Sequence, residues 1–131
     1  MSSELIEKEL SFEIRNADFT VHSTLGPGFL ESNYEEAMLI ELERKGFPFE
    51  RQKKIEIIYQ GRVIGIHVLD IVVKNKVILE LKAVSDLLPI HKQQALSYLK
   101  ATGLPLALVI NFGENRVHIT RVVHTLQLEG S

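Results

Sequence analysis

The stretch from His67 to Ala83 reads His-Val-Leu-Asp-Ile-Val-Val-Lys-Asn-Lys-Val-Ile-Leu-Glu-Leu-Lys-Ala. Two aliphatic, β-branched runs flank a polar Lys74-Asn75-Lys76 tip, the pattern of a β-hairpin with core-forming strands. Asp70, Glu80 and Lys82 interrupt those runs. A charge inside such a strand is costly unless it is paired or bound to a metal. If Lys74 to Lys76 is a three-residue loop, Val73 faces Val77 and Asp70 lies directly opposite Glu80, with Cβ atoms roughly 4.5–5.5 Å apart on one face. Lys82, two residues on, shares that face. Leu69, Ile71, Val73, Val77, Leu79, Leu81 and Ala83 then form an apolar opposite face. Two carboxylates so close favour a shared proton or a divalent cation. Hard cations take carboxylate, carbonyl and water oxygens. A slip of one residue in the turn would send Asp70 and Glu80 to opposite faces, so this reading depends on the register.

The rest of the chain supports a single domain over residues 1–131, with its core at about 10–123 and a polar tail at 127–131. A length of 131 residues is enough for one core. There is no run of about 18 apolar residues to span a membrane. The N-terminus, Met1-Ser2-Ser3-Glu4, lacks the basic and apolar regions of a signal peptide. The absence of cysteine excludes disulfides and thiolate zinc sites, and fits a cytoplasmic setting. A net charge of -2 makes no global case for a polyanion partner, so any such site is local or helped by a bound cation.

Leu10, Ile14, Ala17 and Val21 recur at helical spacing within a first helix over about 3–24, broken by Gly26-Pro27-Gly28. A second helix is expected over about 32–45, with Ser32 and Glu35 as a capping box and Gly46 just past its end. Strands follow at about 53–59, 63–73 and 77–84. A third helix starts near Pro89 and ends before Gly103. Strands at about 106–111 and 117–123 complete the order ααβββαββ. The first three strands form an antiparallel meander, and the crossover through the third helix makes the next strand parallel. The result is one mixed sheet flanked by helices, an α/β (α+β) fold.

This order, with Asp70 on the second strand and Glu80-Leu81-Lys82 on the third, resembles the PD-(D/E)XK nuclease superfamily. Gln94-Ala95-Leu96-Ser97-Tyr98 matches the Gln-x-x-x-Tyr motif of its RecB-like members. Gly28-Phe29-Leu30-Glu31-Ser32-Asn33-Tyr34 matches the Gly-x-x-Glu-x-x-Tyr motif that names the GxxExxY family. Val21-His22, Leu25-Gly26-Pro27-Gly28, Pro89-Ile90-His91 and Ile110-Asn111-Phe112-Gly113 look like the same family. Where relatives often carry an aromatic and a basic residue before the motif Asp, this chain has His67 and Val68.

The resemblance implies a restriction-endonuclease-like core αβββαβ with an extra N-terminal helix and a final antiparallel strand. It implies a divalent-metal-dependent nuclease, acting on DNA. Asp70, Glu80 and the Leu81 carbonyl would hold Mg²⁺ or Mn²⁺, with Glu31 completing the site from the helical side. Lys82 would orient or deprotonate the attacking water, and Gln94 and Tyr98, one helical turn apart, would position Lys82, the water or a phosphate oxygen. The rival reading is a nucleic-acid- or protein-binding module that keeps the fold without turnover; a homodimer is a third.

Other features carry less. Without the motifs, Asp70, Glu80 and Lys82 would read as an ion-pair cluster at a sheet edge. Gly26-Pro27-Gly28 is followed by no Gly-Lys-Ser/Thr and reads as a helix-breaking turn, not a phosphate loop. The five histidines show no paired ligand spacing. Arg51, Lys53 and Lys54 form a basic cluster at a strand entrance that would suit a phosphate backbone or simply solvent.

Overall fold

The computed structural model describes residues 6–124; the expected helix start at Ser3 and the polar tail lie outside them. Helix α1 (Lys8–Leu25) buries Leu10, Ile14, Ala17 and Val21, the stripe that its sequence spacing predicts, and stops at Gly26. Helix α2 (Glu31–Arg44) buries Tyr34, Met38, Leu39 and Leu42. Its cap differs from the expected one. Leu30 is the N-cap, and the Asn33 side chain accepts the Leu30 backbone N–H at 3.0 Å. Ser32 is already inside the helix, while Glu35 accepts hydrogen bonds from Arg51 and Gln52 on the neighbouring strand. That tertiary pairing removes Glu35 from the capping role.

The five strands are β1 (Phe49–Tyr59), β2 (Arg62–Val73), β3 (Val77–Lys82), β4 (Leu106–Asn111) and β5 (His118–Val123). They lie side by side in chain order. Helix α3 (Pro89–Thr102) joins β3 to β4, which run parallel; the other neighbours are antiparallel. The mixed sheet and its order are those the sequence predicts. β1 begins four residues earlier than expected. Phe49 to Arg51 carry no alternating pattern, but the inner end of β2 offers them Ile71 to Val73 as partners, and pairing overrides local preference.

Helices α1 and α2 cover one face of the sheet, where Ile71, Val73, Leu79, Leu81, Leu108 and Ile110 pack with Ile14, Tyr34 and Met38. Helix α3 covers the other, where Ala95 and Leu99 meet Val72, Ile78, Ala107 and Val109. All six residues of β4 are buried, as expected of a central strand with a parallel neighbour and helices on both faces. No helix among the described residues is long and apolar enough to cross a membrane.

Candidate active site

The site lies where β2 and β3 part. Their ladder runs from Val73–Val77 to Ile71–Leu79 and goes no further. At the next step the Asp70 side chain takes over, its Oδ2 accepting the Leu81 backbone N–H at 2.7 Å. On the other side of β2, Gln52 has a left-handed backbone (φ 48°) and is skipped in the pairing with Asp70. The strand alternation slips at this point. Leu69 and Val72 both pack on the α3 side, whereas Ile71 and Val73 pack toward α1 and α2. Leu69 therefore does not share the apolar face expected of it. The break at Asp70 is the cause.

Glu80 belongs to the α3 side, like Ile78 two residues before it, and is 7% exposed. Its carboxyl lies near enough to Asp70 for that charge to act on it. Burial above all, then the Asp70 charge, push its pKa from 4.5 to about 9, against the pull of Lys82. Oε1 is buried with no hydrogen-bond partner. Lys82, half-buried at the end of β3, alternates onto the same side.

Tyr98 comes to this cluster from α3. Burial first, then the charges of Glu80 and Asp70, raise the pKa of its hydroxyl. The His67 ring packs on it at 5.4 Å between centroids. Gln94, one turn earlier on α3, is exposed. Glu31 opens α2 and is also exposed. Among the described residues no three His, Cys, Asp or Glu side chains form a group that could hold a metal ion. Asp70 and Glu80 meet as a pair, and Glu31 is not gathered with them. The pair nonetheless fits a hard divalent cation. It offers carboxylate oxygens from adjacent strands, one of them buried and unpartnered.

A rigid frame holds the end of β3. The Phe112 N–H donates to the Lys82 carbonyl at 2.8 Å. Asn111, fully buried, accepts the Val84 N–H at 3.0 Å and donates to the Val84 carbonyl at 2.9 Å. This clamp replaces the ladder after Lys82, and so β3 ends two residues before the expected Val84. Gly113 lies so near that a Cβ on it would come within 2.4 Å of the Val84 carbonyl oxygen. Behind the clamp the Phe112 ring stacks on Tyr34 at 4.6 Å, nearly parallel. The Tyr34 hydroxyl in turn donates to the Gly26 carbonyl and accepts the Phe29 N–H. It thus fixes the Gly26–Leu30 loop, in which Gly28 has φ 111°, and with it the start of α2. His22 bonds through Nε2 to the Glu114 carbonyl at 2.8 Å, and His91 caps α3 by accepting the Leu88 N–H; both have structural partners. The clamp role of Asn111 was not assigned from sequence. Its signal is an amide side chain closing an otherwise apolar strand. The basic cluster is partly neutralised, with Arg51 paired to Glu35 and Glu36 and Lys53 to Glu50.

A family model described as the PD-(D/E)XK nuclease superfamily matches residues 8–122. No curated protein matches the chain. Among solved structures, that titled "Crystal structure of SSO0001" superposes with a TM-score of 0.60 at 17% identity, over 92% of this chain and 64% of that one. An alkaline exonuclease, LHK-Exo, from Laribacter hongkongensis gives a TM-score of 0.49 at 9% identity, over 92% of this chain and 85% of that one. The chain thus spans less than two thirds of SSO0001, and the likeness to it is one of fold.

Proposed function

Because this chain belongs to the PD-(D/E)XK nuclease superfamily, we propose that it hydrolyses phosphodiester bonds in DNA, in the cytoplasm, with Mg²⁺ or Mn²⁺ held by Asp70, Glu80 and the Leu81 carbonyl. The observation that carries the reading is the Asp70–Glu80 pair, with its buried, unpartnered oxygen, on the same side of the sheet as Lys82. A divalent cation bound there supplies an activated water and neutralises charge on the phosphate. Leu81 gives its N–H to Asp70, and in an extended strand a residue's carbonyl points to the same edge as its N–H. Lys82 orients or deprotonates the attacking water and stabilises charge at the phosphoryl oxygens. Tyr98, which feels the charges of both carboxylates, holds the water or a phosphate oxygen, and Gln94 contacts the substrate from the exposed rim of α3. Glu31, exposed at the start of α2 and not gathered with the pair, is the further carboxylate that the family resemblance assigns to the cation. The Gly28–Tyr34 motif supports placing the chain with the GxxExxY family within the superfamily.

Single- and double-stranded DNA and RNA, incubated with Mg²⁺ or Mn²⁺, test this. Cleavage of DNA is expected, with Lys82→Ala slower by about 10²-fold or more. Calorimetry should show cation binding to the wild type and none to Asp70→Ala/Glu80→Ala. Equal cleavage by wild type and Lys82→Ala overturns the assignment. Cation binding without cleavage of any substrate identifies the chain as a binding module that retains the fold.

A further inference from the structure

The distal half of the β1–β2 hairpin projects past the rest of the sheet. β3 pairs with β2 only at Ile71 to Val73, so among the described residues the backbone from Arg62 to Val68 has no strand beside it on that side. An isolated two-stranded ribbon is marginal in water. On the face away from α3 this ribbon is apolar. The register opposes Glu56 to Ile66, Lys54 to Val68 and Ile58 to Val63, and the irregularity at Ile57/Ile58 brings Val63 onto the face of Ile66 with Ile64 between them. Val63, Ile64, Ile66 and Val68 are 51%, 65%, 61% and 44% exposed, and Ile58 is as open. Together the five leave on the order of 400 Å² of apolar surface in water, at the size that marks an interaction site.

We propose that this face is the seam of a two-fold homodimer in which the distal hairpins of two copies pack face to face. Three features select a second copy. The patch is flat and aliphatic, and its bordering charges, Lys54 and Glu56, cancel, which does not suit a polyanion. Lys54 and Glu56 lie two residues apart on one face of β1, so an axis that reverses the strand brings Lys54 of one copy to Glu56 of the other, as an isologous contact requires. With Lys54, Glu56 and Arg62 as rim, the apolar centre approaches the roughly 800 Å² that each partner buries in a standard interface. The seam runs into Asp70 at the base of the same strand, so the two sites would stand in fixed relation.

Light scattering across a dilution series tests the proposal. The wild type should weigh twice 14.9 kDa. Ile66→Glu should halve that mass with an unchanged circular dichroism spectrum. Phe12→Glu/Phe19→Glu, on the exposed face of α1, should leave the dimer intact. Since the chain has no cysteine, Ile66→Cys/Val68→Cys, whose two positions the axis apposes across the copies, provides a second reading if Ile66→Glu misfolds. Oxidation should cross-link it into a dimer, and Ser97→Cys on α3 should stay monomeric on a non-reducing gel. A wild type that is monomeric at every concentration, that gains mass only with DNA, or whose dimer is broken by the α1 variant but not by Ile66→Glu overturns the proposal.

Discussion

Asp18 is buried midway along α1, and neither carboxyl oxygen has a hydrogen-bond partner. Burial raises its pKa from 3.8 to about 7, against the Arg15 charge. The folded protein therefore keeps a proton that the unfolded chain releases from about pH 4 upward. The stability this gives is complete below the unfolded value and is lost as pH rises through about 7. Asp18→Asn, which carries no charge at any pH, should unfold at higher urea than wild type in alkaline buffer, by on the order of 1–3 kcal/mol. The difference should shrink toward acid pH; parallel curves at both pH values would contradict it. Glu80 shows the same effect of burial in a different setting. It too is buried, but Asp70 and Lys82 stand beside it. A buried acid beside both a second carboxylate and a lysine is a better candidate for chemistry than one set midway along a helix.

Among the connecting segments, the turn after β4 is the most constrained. Gly113→Ala drives a methyl into the backbone of Ala83 and Val84, which cannot rotate away as a side chain would. It should cost about 1–3 kcal/mol in a denaturant titration and loosen the end of β3 that carries Lys82. Loss of activity greater than the loss of stability would show that the clamp positions Lys82. The sequence reveals such elements unevenly. The stripe on α1, the position of α3 between Pro89 and Gly103, and the parallel crossover all follow from local spacing. The α2 cap does not, because Ser32 with Glu35 fits a capping box while Leu30 carries no capping side chain, and Arg51, on a neighbouring strand, draws Glu35 away. The opposition of Asp70 and Glu80 was legible because a three-residue tip sets the count on both sides. The reversal of Leu69 was not, because it follows from a contact between the Asp70 side chain and a main-chain N–H eleven residues on.

For the molecule as a whole, the paired carboxylates link the site to global stability. A ligand that binds only the folded state at a hundred times its Kd adds about 2.7 kcal/mol. Saturating Mg²⁺ or Mn²⁺ should therefore raise the melting temperature of the wild type by several degrees, and Glu80→Gln, which keeps the shape of the side chain, should lose most of that rise. Equal shifts in both would place the cation elsewhere. The family match over residues 8–122 includes every element that frames the pair.

The early end of the β2–β3 ladder means that this molecule gives a carboxylate a main-chain partner by leaving a sheet unfinished. Had main chain continued to meet main chain beyond Ile71, the Leu81 N–H would be spent on regular pairing and the Asp70 carboxylate would have nothing to hold it in place. Extending the pairing by one more step would thus make a tidier sheet and erase the feature on which the proposed site rests.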